Sequence, residues 1–338
     1  MKFRVLLTLI LVLALGAATT FAAEPAKPST SVPEQLQNIS VTVKSGFAQG
    51  SGTLVTRRVG DDTLTFVWTA GHVVDNLRTV RKVISVDGEQ KILVEFKDPQ
   101  IVQERHQDGR RVGQQTLDCK VIKYSDVDYG EDLAVLMVRL KNAYPTTATA
   151  KFEPNANYIP PVGVDLSHCG SLFGQFGANS YTTGVLSQTG RLLDGEGASS
   201  KVFDQVTAVA FPGSSGGGVY LKEDGTYIGM LTQGVMFLQG FNFIVPIRRM
   251  HAWAEDSDIV WAIDPSVPMP SLAEINAIAV EELGAVPAGF QSMGGGIYKR
   301  PPNPDGIGKW ILPEGGLKSL FKIDTWLHTT VPAIPAIP

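Results

Sequence analysis

The sequence predicts an all-β, antiparallel fold, and three observations carry that prediction. Asp-Gly pairs recur at Asp87-Gly88, Asp108-Gly109, Asp194-Gly195 and Asp224-Gly225, each between strand-like runs. That dipeptide tolerates the positive φ angles of two-residue hairpin turns. The runs themselves are short and rich in Val, Ile, Thr and aromatic residues, the composition of pleated, half-buried surfaces. No long helical pattern separates them, whereas a parallel sheet needs a crossover at every step.

In chain order, Lys2 and Arg4 precede an apolar stretch, Val5–Gly16, and small residues follow to Ala22-Ala23. This is the layout of a secretory signal peptide, residues 1–23, so a periplasmic or secreted location is expected. The apolar stretch falls short of the ~20 residues of a membrane span, so no stable membrane anchor is expected. Residues 24–40, polar with prolines and serines, read as a linker. Strand-like runs then follow at Val41-Thr42-Val43, Gly52–Val55 and Thr63–Trp68, broken by Lys44-Ser45-Gly46 and Gly60-Asp61-Asp62. The polar stretch Arg78–Thr116 reads as one extended surface hairpin. Cys119–Lys123 and Leu133–Leu140 are strands again, and the patternless Asn142–Asn157 is a candidate connection between two halves. A second series runs through Gly163–Leu172, Ser180–Ser187, Val202–Ala210, Val219–Lys222, Tyr227–Leu231 and Phe241–Val245.

Pro246 opens a short helical pattern with Ile247, Met250 and Trp253 on one face. Beyond it, residues 255–338 form a Pro/Gly-rich extension of no legible role, either wrapped on the body or hanging free. Within it Ser271-Leu272-Ala273-Glu274 resembles a capping box, whose helix should stop near Gly284.

The formal net charge of -4, with no basic block, lacks the electrostatic footprint of nucleic-acid binding. The two cysteines, Cys119 and Cys169, fall one in each half. An oxidising compartment permits a disulfide stapling the halves, and two buried free thiols fit equally well.

Chemistry concentrates at Phe211-Pro212-Gly213-Ser214-Ser215-Gly216-Gly217-Gly218, a serine between glycines in a tight turn between strands. Glycine opens backbone conformations that let N–H groups converge beside a hydroxyl, as a nucleophile with an oxyanion site requires. Serine needs a base. Of five histidines, His72 follows an apolar strand at a small-residue turn. His251 reads as a solvated group on the helix, His106 lies in the charged hairpin, His328 in the tail, and His168 inside a strand as a core histidine. The base needs an orienting carboxylate, and Asp132 abuts the apolar run Leu133–Val138 where Asp126, Asp128 and Glu131 fit a solvated loop.

Thr69-Ala70-Gly71-His72, Asp132-Leu133-Ala134-Val135-Leu136 and Gly213-Ser214-Ser215-Gly216-Gly217 occur in that order. Together they resemble the three motifs of trypsin-like, chymotrypsin-fold serine endopeptidases, most closely the exported bacterial branch with the Deg-type proteases. Gly50-Ser51-Gly52, Gly170–Gly177 with Thr183–Ser187, and Phe243–Pro246 match as well. The resemblance covers residues 41–254. It implies two six-stranded antiparallel barrels, at about 41–141 and 160–246, with the active site in the cleft between them. It further implies Ser215 as nucleophile, His72 as general base and acid, and Asp132 as the group orienting His72. The oxyanion hole would use the N–H groups of Gly213 and Ser215. The resemblance implies no cofactor or metal, and its partners are protein or peptide substrates.

Two departures stand out. Val73 occupies the place of an animal-trypsin cysteine. Ser214 replaces the aspartate that pairs there with a freed N-terminus. The pocket for the residue before the cut would draw on Val209, Ala210, Phe211, Leu231, Thr232 and Gln233. None is acidic, so small or apolar residues are expected there rather than Lys or Arg. Two other readings remain: a catalytically silent protease-fold peptide binder, and an α/β-hydrolase-type esterase, whose serine elbow leads into a helix rather than a strand.

Overall fold

Two closed barrels occupy most of the computed structural model, which describes residues 31–84, 90–107, 110–127, 130–142, 149–193, 201–234, 240–281, 291–294 and 297–299. The expected signal peptide, His328 and the end of the tail lie outside the described residues. The first half runs α1 (Val32–Ile39), β1 (Ser40–Ser45), β2 (Ala48–Val59), β3 (Asp62–Ala70), α2 (Gly71–Val74), β4 (Arg78–Ile84), β5 (Gln90–Phe96), β6 (Gln100–Gln107), β7 (Arg110–Ser125) and β8 (Leu133–Val138). Six of these strands close in the order β1-β2-β3-β8-β7-β6. Two-residue turns join β1 to β2 and β2 to β3, with Gly46 and Gly60 at φ 63° and 61°, where a side chain would be strained.

The second half runs β9 (Lys151–Phe152), β10 (Asp165–Leu172), β11 (Gly177–Leu193), β12 (Lys201–Val206), β13 (Gly218–Leu221), β14 (Thr226–Gly234), β15 (Asn242–Pro246), α3 (Ile247–Asp256), α4 (Leu272–Ala277), β16 (Gln291–Gly294) and β17 (Ile297–Lys299). The order β13-β10-β11-β12-β15-β14 is closed by pairing of β13 with β14, and β9 adds in parallel to β14. The expected all-β, two-barrel architecture is therefore the observed one. Each Asp-Gly pair does separate two strands that pair antiparallel. Of these turns only Asp224-Gly225 lies among the described residues, with Gly225 at φ 71°.

A cluster of eight apolar residues, including Leu166, Leu186, Val206 and Ile244, fills the second barrel. A larger cluster joins the first barrel, the interface and the segment after α3. Trp68 shows why β3 is buried on both faces. Its ring meets Trp253 of α3 edge-on at 5.7 Å, and its Nε1 donates to Ala262 O at 2.9 Å.

Several expectations are corrected. Residues 32–39 of the expected linker form helix α1, which buries Leu36 and Ile39. Pro33 sits in its first turn, where a missing N–H costs nothing. Arg78–Thr116 is two hairpins rather than one, β4–β5 and the start of β6–β7, and only the second belongs to the barrel. The capping box at Ser271 and Glu274 is present, but α4 ends at Ala277, short of Gly284. Just beyond that end, Val280 O accepts from Tyr124 N, so pairing with β7 overrides helix continuation. The extension thus wraps the first barrel as far as the buried Arg78–Glu281 ion pair, and β17 pairs with β4. Arg57 fastens this wrap by donating to the carbonyl oxygens of Trp261, Asp264, Pro265 and Val267. Cys119 and Cys169 are both free and buried. No helix among the described residues is long and apolar enough to cross a membrane.

Candidate active site

The site begins with register. β3 and β8 pair antiparallel with Ala70 opposite Leu133. Two residues past the first and one residue before the second therefore face each other, and these are His72 and Asp132. Gly71 makes the approach feasible, since a Cβ there would stand 3.2 Å from Leu133 N and closer still to Ser125 O. Asp132 itself takes φ 57°, a left-handed conformation that aspartate tolerates better than most residues.

The pair is buried and well bonded. His72 Nδ1 lies 3.0 and 2.9 Å from the two Asp132 carboxylate oxygens, and His72 N donates to Oδ1 at 2.9 Å. Thr232 Oγ1 donates to Asp132 Oδ2 in a short hydrogen bond. Burial alone would push the Asp132 carboxyl up, but the attraction of His72 and these hydrogen bonds outweigh it. The group is held below its ordinary range and stays ionised. An ionised Asp132 fixes the His72 proton on Nδ1, leaving Nε2 as an acceptor. That Nε2 is buried and has no hydrogen-bond partner among the described residues.

Ser215 reaches the same place from the second barrel. The turn between β12 and β13 is knotted on itself: Ser214 N donates to Phe211 O at 2.9 Å, and Phe211 N to Ser214 Oγ at 3.1 Å. Ser214, at the position of the animal-trypsin aspartate, is thus a turn-forming residue. Ser51 of the first barrel then clamps the turn. Its Oγ donates to Gly213 O, its N donates to Ser215 O, both at 2.7 Å, and its O accepts from Thr69 Oγ1. Thr232 joins the halves of the site, since its carbonyl oxygen accepts from Ser215 Oγ at 3.2 Å while its hydroxyl holds Asp132. The Ser215 hydroxyl is therefore directed at Thr232 rather than at His72.

The N–H groups of Gly213 and Ser215 have no acceptor among the described residues, while Pro212 O accepts from Phe173 N at 2.6 Å and Ser214 O from Gly217 N at 3.0 Å. Gly213 sits at φ 94°, and a Cβ there would fall 2.5 Å from Gly174 N. Glycine is required on both counts. Two free backbone donors beside a buried hydroxyl can hold a negatively charged oxygen.

The expected pocket residues divide. Leu231 and Ala210 turn their side chains into the second barrel's core, so a bound chain could meet only their backbone. Val209 and Gln233 are half-buried. Phe211 is half-buried too and stacks on Phe173 with ring centroids 4.7 Å apart. Thr232 was expected only as pocket lining, and its hydroxyl is instead spent on Asp132. Sequence reasoning also missed the clamp by Ser51, although Gly50-Ser51-Gly52 was the available signal.

The other histidines take different places. His168 lies beneath the serine turn, where a Cβ on Gly217 would come within 2.6 Å of its Cε1. Burial pushes its imidazole down to about 4, so it is neutral and Nδ1 donates to Gly218 O at 3.0 Å. This matches the core reading, except that Nε2 finds no partner among the described residues. His251 is not solvated as expected; it is buried, with Nε2 2.8 Å from Glu153 O. His106 lies in β6, 3.8 Å from Glu104. No group of metal-ligating side chains assembles among the described residues.

The model of the trypsin-like peptidase domain family matches residues 50–230, a stretch that includes His72, Asp132 and Ser215. No curated protein matches the chain. Among solved structures, the HtrA-type protease AlgW with a tripeptide is 22% identical, with a TM-score of 0.44, over 69% of this chain and 64% of that one. A serine endoprotease from Yersinia pestis is 20% identical, TM-score 0.42, over 68% and 65%. The chain thus spans less than two thirds of either. Rv3671c from M. tuberculosis H37Rv, in an inactive form with a serine-to-alanine change, is 15% identical, TM-score 0.45, over 73% and 97%.

Proposed function

The chain belongs to the trypsin-like peptidase family, and from that premise we propose that it is a serine endopeptidase acting through Ser215, His72 and Asp132. One observation carries the reading. His72 is locked on an ionised Asp132 through Nδ1, and its Nε2 is a buried acceptor with no partner among the described residues. A general base needs that free, oriented nitrogen.

Ser215 Oγ attacks the scissile carbonyl carbon while its proton passes to His72 Nε2. The resulting oxyanion receives the N–H groups of Gly213 and Ser215. The C–N bond then breaks as His72 returns the proton to the leaving amine, giving an acyl ester on Ser215. Water, deprotonated by His72, attacks this ester, and the proton goes back to Ser215 Oγ as the acid product leaves. Asp132 stabilises the imidazolium at each transfer. Ser215 must first release Thr232 O, a rotation about one single bond. Substrates are proteins or peptides, cut after small or apolar residues because no acidic side chain stands among the pocket residues. The signal-peptide pattern supports action outside the cytoplasm.

The Ser215–Thr232 hydrogen bond is also what a catalytically silent peptide binder would show. Incubation with a chemically unfolded protein, followed by sequencing of the new termini, separates the two. Cleavage that is lost in Ser215→Ala supports the peptidase. No cleavage by the unaltered chain, or undiminished cleavage by Ser215→Ala, overturns it. A preference for cutting after Lys or Arg overturns the pocket assignment alone.

A further inference from the structure

Asp132 belongs to the first barrel by sequence, yet the second barrel holds the loop that presents it. The residue before it, Glu131, receives Arg249 of α3: Nε donates to Glu131 Oε2 at 2.8 Å, Nη2 donates to the same oxygen, and Nη2 also lies 3.4 Å from Glu131 O. The guanidinium is fixed from behind. Nη1 donates to Val202 O at 3.1 Å, and the group lies 4.8 Å above the Phe203 ring. The Arg249 side chain is only 12% exposed and that of Glu131 36%, so the guanidinium is held within the protein while the carboxylate partly meets solvent. At the other end of the loop Lys201 Nζ donates to Val127 O at 3.1 Å. Lys201 of β12 and Arg249 of α3, the latter braced by Val202 and Phe203, thus grip a loop whose last residue sits at φ 57°.

α3 is itself anchored to the second barrel, because Arg248 makes a two-pronged pair with buried Asp204 of β12 at 2.8 and 2.7 Å. The helix therefore transmits the second barrel's position to the Asp132 loop through one side chain. We propose that Arg249, acting through Glu131, is a positioning residue for Asp132, so that the orientation of the two barrels sets the alignment of the base pair His72–Asp132. This rests on the serine-peptidase reading above. Arg249 touches no reacting atom. Its effect would appear in the rate of the chemical step and not in reagent binding, because a small misplacement of a catalytic group is costly to rate.

The test uses a fluorophosphonate that reacts with an activated serine, with labelling rates measured across reagent concentration for the full chain. Arg249→Met and Glu131→Gln should each lower the maximal labelling rate about tenfold and leave the half-saturating concentration within about twofold. The double variant should be no slower than either single one, as expected for residues acting as one unit. Arg249→Lys should recover part of the rate. Arg57→Ala, which loosens the C-terminal wrap away from the site, serves as the control, lowering the melting temperature with the maximal rate retained. If Arg249→Met fails to fold, Glu131→Gln and Arg249→Lys still decide. Labelling of the unaltered chain with undiminished rates in Glu131→Gln and Arg249→Met, or multiplicative losses in the double variant, overturns the positioning role alone. Absence of labelling in the unaltered chain overturns the serine-peptidase reading on which it rests.

Discussion

Replacing Thr232 by valine keeps the shape of the side chain and removes one donor from Asp132. Four contacts hold that carboxylate: His72 N and Nδ1 on Oδ1, and His72 Nδ1 and Thr232 Oγ1 on Oδ2. A hydrogen bond to a charged group contributes roughly 1.5–3 kcal/mol, and the Asp132 carboxylate is buried. We expect a loss of about 2 kcal/mol near neutral pH, which for a domain of this size lowers the melting temperature by roughly 4–8 °C. The sign of the pH dependence follows from the depressed Asp132 pKa. Stability from such a group is complete above the ordinary aspartate range and is lost as pH falls through the lower, folded value. Thr232→Val raises the folded value, so the gap between the two proteins is constant above the ordinary range and narrows below it. Denaturant unfolding of both proteins at about pH 7 and pH 3 measures this directly. A gap of equal size at both pH values, or none at about pH 7, would refute the role given to Thr232.

Three further outcomes are expected. Gly213→Ala forces a side chain to φ 94° against Gly174 N, and should cost roughly 10²–10³ in turnover as one oxyanion donor is displaced; peptide hydrolysis within tenfold of the unaltered protein would contradict it. Arg57→Ala removes a donor from four carbonyl groups of the C-terminal wrap and should cost about 2 kcal/mol. Limited proteolysis should then cut first within 257–281, and an unchanged digestion pattern would count against the clamp. Burial pushes the Cys169 thiol up to about 12 and that of Cys119 higher, so neither should react with a thiol reagent at about pH 8 until the protein unfolds. Fast reaction of either in the native protein would show the burial to be wrong.

What the sequence disclosed depended on how local each signal was. His72, Asp132 and Ser215 were legible because each lies in a motif of a few residues beside a strand end, and their order along the chain needed no structure. The antiparallel all-β class was legible through the Asp-Gly turns and the short strand runs, while the two barrels were implied only by the family resemblance of the three motifs. Ser51, the Thr232 hydroxyl and Arg249 were not, because their roles exist only when the two barrels face each other. Nothing local distinguishes Arg249 from Arg248, yet one crosses to Glu131 and the other stays with Asp204. Helix α1 was hidden by Pro33 and polar neighbours, although Leu36 and Ile39 sit at helical spacing. α4 was overextended because its capping box marks a start, while its end is set by Val280 pairing with Tyr124 in another element.

The central claim is that Ser215 is an activated nucleophile. Mass spectrometry of the chain after fluorophosphonate treatment tests it most directly. One adduct is expected, located on the peptide carrying Ser215, formed by the native protein and abolished in Ser215→Ala, His72→Ala and the heat-unfolded chain. An adduct on another residue, or none at any pH from neutral to mildly alkaline, would contradict it.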